Sequence, residues 1–340
     1  MGIKERISSL PELKERLSLN PKEMKKYSLL AEVACDYYER GLSQNEIAER
    51  ICLSRTRVSR LLKEAEEAGI VQVSINYNFE RHYELEERIK SLFSVKNVRV
   101  LNNRNRPKDR IQADVGCLGA SYIMESLKKD MVIGTSWGTT LADTIKHIKP
   151  APFPVHVVQL MGSVPCNSPN HTPQGIVSTM AELFQCQGSF LNLPLYIHDD
   201  YARQVICNDI NNKKIINQGM FSDMILTSIS AVETISQQDF WLGYMTPEMY
   251  QEICSKGAVG AMFARFFDRS GNEVDCSWNH RCISISFDHI KGVPDVVVIA
   301  SGRQKATAIS YALKASLINT LITDGTTASA ILGLNPKNQV

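Results

Sequence analysis

Nowhere in the 340 residues do ~20 apolar residues follow one another, the run a helix needs to cross a bilayer, so no membrane span is expected. The nine cysteines are odd in number, scattered, and contain no Cys-x-x-Cys pair. That argues against a closed zinc site and a disulfide framework and leaves reduced thiols. The seven histidines show no His-x-x-x-His spacing, and no metal is expected. Residues 1–19 are charged and interrupted by Pro11, without the apolar core of a signal peptide. Together with reduced thiols this points to the cytoplasm. A formal charge of only +2 gives the molecule no electrostatic signature, so any affinity for nucleic acid must come from a local basic stripe. There is no internal repeat or low-complexity tract, and no cofactor is expected.

What is present is an ordinary globular balance, 44% hydrophobic and 22% charged, in a length that suits about two domains of ~150 residues each. Residues 1–26 form a polar N-terminal extension to which no role is assigned. Over 27–77 the pattern is that of three short helices and a strand. Leu29, Leu30, Val33 and Tyr37 recur at helical spacing in a segment that Gly41 ends. Ser43 and Glu46 have the spacing of a capping box at the start of a second helix. Ser54 caps a third, which carries Val58, Leu61, Leu62 and Ala65 on one face and stops at Gly69. Ile70 to Tyr77 then alternates like a strand. Residues 78–92 are expected to be an amphipathic connector helix. Over 93–340, β-rich runs at 98–101, 131–134, 155–160, 224–229, 296–300 and 320–323 alternate with helical segments. The expected class is therefore α/β: an N-terminal three-helix domain and a larger domain built on a mainly parallel sheet.

The spacing at 43–67 is that of a helix-turn-helix. Ile47 and Ala48 on one helix and Val58 and Leu61 on the next face each other across a turn bracketed by Ile51 and Leu53. Cys52 stands where glycine is common. Arg50, Arg55, Arg57, Arg60 and Lys63 fall in a stretch without a single acid. Gln44, Ser54, Arg55, Thr56, Arg57, Ser59 and Arg60 are the residues expected to meet duplex operator DNA. Arginine forks guanine O6 and N7, hydroxyls serve bases or phosphates, and loss of Arg57 is expected to weaken binding.

In the second domain the run Gly134-Thr135-Ser136-Trp137-Gly138-Thr139-Thr140 leads from a strand into a helix. Free backbone N–H groups there, with the hydroxyls of Ser136, Thr139 and Thr140, suit an anion such as phosphate. Loops at Gly162-Ser163, Gly302–Lys305 and Asp324–Ala328 also follow strands. In an open parallel sheet such loops converge on one crevice, where Lys305 would neutralise a phosphate and Asp324 would accept from sugar hydroxyls.

Taken in order, Leu42-Ser43-Gln44, Ile47-Ala48, Leu53 to Ala65, Gly69-Ile70-Val71, Gly134 to Gly138, Gly257-Ala258-Val259-Gly260, Arg265 to Asp268, Lys305-Ala306 and Thr323-Asp324 resemble the SorC-type (DeoR/CggR-like) bacterial sugar-responsive transcription regulators. The resemblance runs over about 28–334. It implies a C-terminal fold similar to sugar-phosphate isomerases and deaminases. It also implies a homo-oligomer, tetramer or dimer, and a sugar or phosphosugar effector that alters operator binding. By the same resemblance Thr139 and Thr140 hold the effector's phosphate, Gly162, Ser163 and Thr172 line the pocket with Gly260 of the Gly-Ala-Val-Gly run, and Lys305 contacts phosphate. Three departures stand out: Ala261 where relatives often have an acid, Ser228-Ile229-Ser230 in place of a glycine-rich turn, and Gly325 after Asp324. They point to an atypical ligand preference.

The other class to weigh is an enzyme, a sugar-phosphate isomerase or deaminase with an appended DNA-binding domain. It needs a general base beside the phosphate cradle, and Asp324 is the one acid so placed; no catalytic residue is assigned. A Schiff base between Lys305 and an aldehyde effector stays open on sequence grounds. Asp199-Asp200 reads as a helix cap rather than a catalytic pair, because neighbouring side chains point apart.

Overall fold

Local chemistry sets the first helices. The Ser43 hydroxyl accepts from the Glu46 N–H at 3.3 Å while the Glu46 carboxylate accepts from the Ser43 N–H at 2.8 Å, the reciprocal capping box the sequence predicts. The computed structural model describes residues 21–71, 80–104, 106–151, 153–164, 171–237 and 244–333. Two compact units divide the chain, Met1–Asn78 and Phe79–Val340. Most of the strand expected at 70–77, most of the N-terminal extension and part of the loop Val164–Pro173 lie outside the described residues.

The first unit contains α1 (Pro21–Ala34), continued by a wider turn over Cys35–Glu39, then α2 (Gln44–Arg50) and α3 (Arg55–Glu67). Its helices bury Leu30, Val33, Ile47, Val58, Leu61 and Ala65 against one another. Gly69, at φ +67, stops α3: its N–H reaches the Glu66 carbonyl and the Ile70 N–H reaches that of Ala65, a Schellman closure. Cys52 adopts φ +53, which explains why glycine suits this turn.

The second unit holds a sheet of seven parallel strands in the order β1-β10-β9-β5-β2-β3-β4. The strands are β1 (Asn97–Leu101), β2 (Val132–Thr135), β3 (His156–Gln159), β4 (Gly188–Ser189), β5 (Met224–Thr227), β9 (Asp295–Ile299) and β10 (Thr320–Asp324). The central strands β5 and β9 are almost wholly apolar because both faces are covered. Val296, Val298 and Leu321 point into one core cluster, and their neighbours Val297, Ile299 and Ile322 into the other. The first face carries α4 (Tyr83–Phe93), α13 (Ala306–Lys314) and α14 (Gly325–Gly333), and the second α5 (Lys108–Ser126), α6 (Thr139–Ile145) and α7 (Pro173–Leu183). The stretch expected to connect the domains is thus folded into the second unit. Helix α4 buries Leu85 and Ile89 on the β1 side, and its buried Glu86 accepts from the Val100 N–H at 2.8 Å and pairs with Arg81 at 2.6 Å. An amphipathic helix lies on the nearest apolar surface, and that surface is the sheet.

Between β4 and β5 come α8 (Asp200–Asn208), capped by Asp199, and α9 (Ile210–Met220). Between β5 and β9 comes a small antiparallel sheet, β6 (Ser230–Ala231), β7 (Gly260–Met262) and β8 (Arg265–Phe267), with α10 (Pro247–Ser255) between β6 and β7 in the chain and α11 (Ser277–Arg281) and α12 (Phe287–Ile290) after β8. Trp278, fully buried, donates its indole N–H to the Ala264 carbonyl at 2.7 Å and secures the β7–β8 turn.

Candidate functional site

On α3 the buried residues Val58, Leu61, Leu62 and Ala65 fix which side faces the core. Helical geometry then places Thr56, Arg60 and Lys63 at the centre of the opposite face, with Arg55 and Ser59 on one flank and Arg57 on the other. All six are exposed. Ser54 starts the helix by accepting from the Arg57 N–H at 3.3 Å, and its hydroxyl also meets that of Thr56 at 3.0 Å. Gln44 is the first residue of α2. The basic residues are not equivalent. Arg50 is drawn away by Glu32 at 2.6 Å and the buried Asp36 at 2.5 Å, clamping α2 to α1. Arg57 lies 3.7 Å from Glu64, which Lys26 also pairs at 2.8 Å. Arg55 and Arg60 form none of the ion pairs among the described residues and lie exposed in the first two turns of α3, the surface a major groove accepts.

In the larger unit all seven parallel strands end on one side of the sheet. From β2 the chain moves outward through β3 to β4 and then returns to β5, moving the other way through β9 to β10. The crevice between the β2 and β5 ends is therefore a topological switch point, where open α/β sheets bind ligands. Ser136, fully buried, donates to the Thr227 hydroxyl at 2.9 Å, and its N–H reaches the Leu226 carbonyl at 3.1 Å. Gly138 has φ +127 and ψ 156, a conformation essentially restricted to glycine, and a Cβ there would sit 3.8 Å from that of Ser228. One strand over, Gly302 takes φ +116 at the start of the turn Arg303–Lys305. The Gly302 N–H is held by Asp324 at 3.3 Å and by Thr327 at 2.9 Å. Dehydration of the Lys305 ammonium pulls its pKa from the ordinary lysine value down to about 8. No carboxylate among the described residues offsets that charge: Lys305 forms none of their ion pairs, and burial is the one cause of its shift.

The family profile described as "Putative sugar-binding domain" matches residues 77–333, and one described as "Winged helix-turn-helix DNA-binding" matches 38–72. The "Deoxyribonucleoside regulator" of Bacillus subtilis is 30% identical over 311 residues, 91% of this chain and 99% of that protein. The "Transcriptional regulator LsrR" of Enterobacter sp. is 30% identical over 312 residues, 90% of this chain and 93% of the other. The chain belongs to the SorC/DeoR-type family of sugar-responsive transcriptional regulators. Among solved structures, the sorbitol operon regulator SorC of Klebsiella pneumoniae has the same fold, with a TM-score of 0.70 and 24% identity over 90% of this chain and 98% of that one. The regulator accordingly joins a helix-turn-helix that binds DNA to a sugar-binding effector domain.

The strand-end residues named from the sequence fall into two sets in this regulator. Ser136 and Lys305 lie on the segments that follow β2 and β9, with Thr139 at the first position of α6, either side of the loop after β5. The rest mainly shape the frame. Gly134 lies inside β2, where a Cβ would meet Leu160 at 2.6 Å, and Thr140 is buried in α6. Gly162 packs so tightly on the Pro194–Leu195 backbone that any side chain is excluded, and the Ser163 N–H bonds the Leu193 carbonyl at 2.6 Å. Thr172 caps α7 through the Gly175 N–H at 3.0 Å. Gly260 lets Ala308 of α13 approach β7. Asp324 has spent its acceptors on Asn103, Gly302, Thr326 and Thr327, whose hydroxyl it meets at 2.6 Å. It braces the Lys305 turn instead of presenting a free carboxylate.

Two features of the regulator's crest were not legible as site residues. Thr227 ends β5 at the switch point, just before the Ser228-Ile229-Ser230 departure already noted, and one hydroxyl at the end of a short apolar run gives no sequence signal. The two departures at 230 and 261 are also a single local change, because Ser230 and Ala261 are direct cross-strand partners in β6 and β7.

Proposed function

We propose that the effector is a phosphorylated sugar, held at the crest between β9 and β2, and that the observation carrying this is Lys305. A dehydrated ammonium without a carboxylate partner is costly in the free protein and favourable once a phosphate neutralises it. Thr139 and Ser228, at the neighbouring strand ends, supply hydroxyls, and the buried Ser136 positions the β2 end through Thr227. Helix α6 has only seven residues, so its dipole contributes little and the lysine carries the anion affinity. Gly134, Thr140, Gly162, Ser163, Thr172, Gly260 and Asp324 act by positioning the loops. On the DNA side Gln44, Ser54, Arg55, Thr56, Ser59 and Arg60 meet the operator, with Arg57 marginal.

The test is a thermal-shift and calorimetric panel of pentose and hexose phosphates, each beside its unphosphorylated sugar. A phosphate ester present at about 100 Kd is expected to add roughly 2.7 kcal/mol of stability, with its free sugar silent. Equal response to the free sugar would overturn the phosphate assignment. We further read the domain as binding without turnover, since Asp324, the acid best placed for a base, has no acceptor capacity left. Sustained conversion of any panel member would overturn that reading. The site of action is the cytoplasm, where operator DNA lies; no described helix is long and apolar enough to cross a membrane.

The regulator also acts as a homo-oligomer, and the surface best suited to hold a second copy is the α8–α9 hairpin. Helix α8 buries none of its residues fully, and Tyr201, Val205, Ile210 and Phe221 expose large apolar side chains there, 77% in Tyr201 and 80% in Phe221. A helix-turn-helix binds half-sites in pairs, so two-fold self-association is the occupant that such a patch calls for. The effector shifts operator binding by preferring one arrangement of the assembled copies over another, since equal affinity for both would shift nothing. In sedimentation experiments the double variant V205D/I210D is expected to lower the oligomeric state of the wild type. An unchanged mass would rule this surface out.

A further inference from the structure

Below the carboxyl end of β3, away from the residues assigned to phosphate, lies a cavity of about 230 Å³. Leu160, Leu191, Ile216 and Ile283 give it apolar walls, and Gly219 of α9 leaves it room. Helix α8 forms its roof through Arg203 and Cys207, one turn apart, on the side opposite the exposed Tyr201 and Val205. Two guanidinium groups border this space and they differ. Arg265 is fully committed: it pairs with Glu273 at 2.8 Å and donates to the carbonyls of Asn279, Cys282 and Ser284. Arg203 is not. Its Nε is sealed from solvent yet has no hydrogen-bond acceptor, and among the described residues no acid forms an ion pair with it. The same guanidinium also lines a more polar recess of about 300 Å³ beside Glu273 and Asp275, whose carboxylates are already held by Arg265 and His280. On the cavity's other side His289 turns Nδ1 to the Ser286 hydroxyl at 2.5 Å.

A guanidinium that pairs with no acid among the described residues, on the wall of an apolar space, is a half-built recognition site: an anionic ligand in that space gains a charge-assisted hydrogen bond that a neutral one does not. We propose that this cavity is a second small-molecule site, for an apolar monocarboxylate whose carboxylate meets Arg203 and whose body fills the space below β3. Size narrows the class. A cavity of about 150 Å³ takes a benzene ring, so this one suits a monocyclic or short branched-chain acid and is too apolar for a sugar. Because α8 has no fully buried residue, a ligand between Arg203, Cys207 and the sheet tightens its hold on the body.

The experiment is titration calorimetry of the full chain with sodium benzoate and sodium 4-methylpentanoate, each beside its neutral amide. Hydrogen exchange of residues 200–220 is followed in parallel. Saturable binding of a carboxylate is expected, at least tenfold tighter than its amide, with slowed exchange across α8. Arg203→Met is expected to weaken it at least tenfold, and Cys207→Phe, which fills the space, to abolish it. Absence of saturable binding by both acids overturns the proposal, as does equal binding of the amides. The amide comparison uses the wild-type protein, so it decides the matter even where a variant folds poorly. Undiminished binding by Arg203→Met overturns the role of the guanidinium. None of these outcomes bears on the phosphate response of the crest.

Discussion

Replacing Lys305 by methionine is expected to abolish the response to phosphorylated sugars and, at the same time, to make the ligand-free regulator more stable. Both effects come from one dehydrated charge. The folded pKa of Lys305 is pulled down to about 8 from 10.5, so the unfolded chain holds that proton more tightly than the folded one. Between those values the unfolded state carries more protons, and stability of the free protein rises with pH. Below pH 8 the folded protein bears the whole penalty. At about 1.36 kcal/mol per pH unit, partial exposure of the side chain leaves a gain of about 1–3 kcal/mol for Lys305→Met at pH 7. Its partner loss is larger. Truncating one member of a buried cation–phosphate pair costs about 2–4 kcal/mol, or roughly 30- to 1,000-fold in affinity. Wild-type affinity for a phosphosugar is expected to hold steady from about pH 6, where the ester's second proton leaves, to about pH 8. Above that it falls by about tenfold per pH unit as Lys305 loses its proton. Calorimetric titrations across pH 6–10 together with urea denaturation of both proteins check this. A variant that still binds, or that is less stable at pH 7, removes Lys305 from the site.

The fates of individual residues show where sequence reasoning stops. Ser43, Ser54 and Gly69 act on backbone within a few positions, so caps and stops could be read directly. The six longer strands were visible because burial fills them with β-branched and other apolar residues. The small antiparallel sheet was not. Its β7–β8 turn runs through Phe263 and Ala264 at φ +53 and +59, positions where Gly or Asn would normally announce a hairpin. Strands of two or three residues leave no periodicity to detect. At the crest, the spacing of Gly134 to Thr140 revealed a loop after a strand but not the division of labour within it. Whether a glycine after a strand meets a ligand or a neighbouring backbone depends on what the fold brings against it, as Pro194 does at Gly162. Asp324 illustrates the same limit, because its partners Asn103 and Gly302 lie on loops that follow other strands. Arg203 had no local signal at all: its isolation is a property of the folded surroundings.

On the DNA side, Arg60→Ala is expected to weaken operator binding much more than Arg57→Ala, which reverses the weight that the basic stripe alone suggests. The core residues Val58, Leu61 and Ala65 orient α3 so that Arg60 and Thr56 lead, while Arg57 turns toward Glu64. A bidentate arginine–guanine contact is worth about 1–3 kcal/mol, so Arg60→Ala should lose roughly 5- to 150-fold and relax specificity at one base position. Arg55, at the flank of the helix start, is better placed for phosphate. Its removal should weaken binding to all sequences alike and flatten the salt dependence by about one counterion. Arg50→Ala acts by a third route: it leaves the buried Asp36 with Arg40 as its remaining cation at 2.8 Å and loosens α2 from α1, lowering stability as well as affinity. Retardation assays on operator fragments selected from genomic DNA by the wild-type protein, run at several salt concentrations, separate the three. Equal losses for Arg57→Ala and Arg60→Ala would mean that α3 enters the groove along its Glu64 flank, and the face that meets the bases would move by about a sixth of a turn.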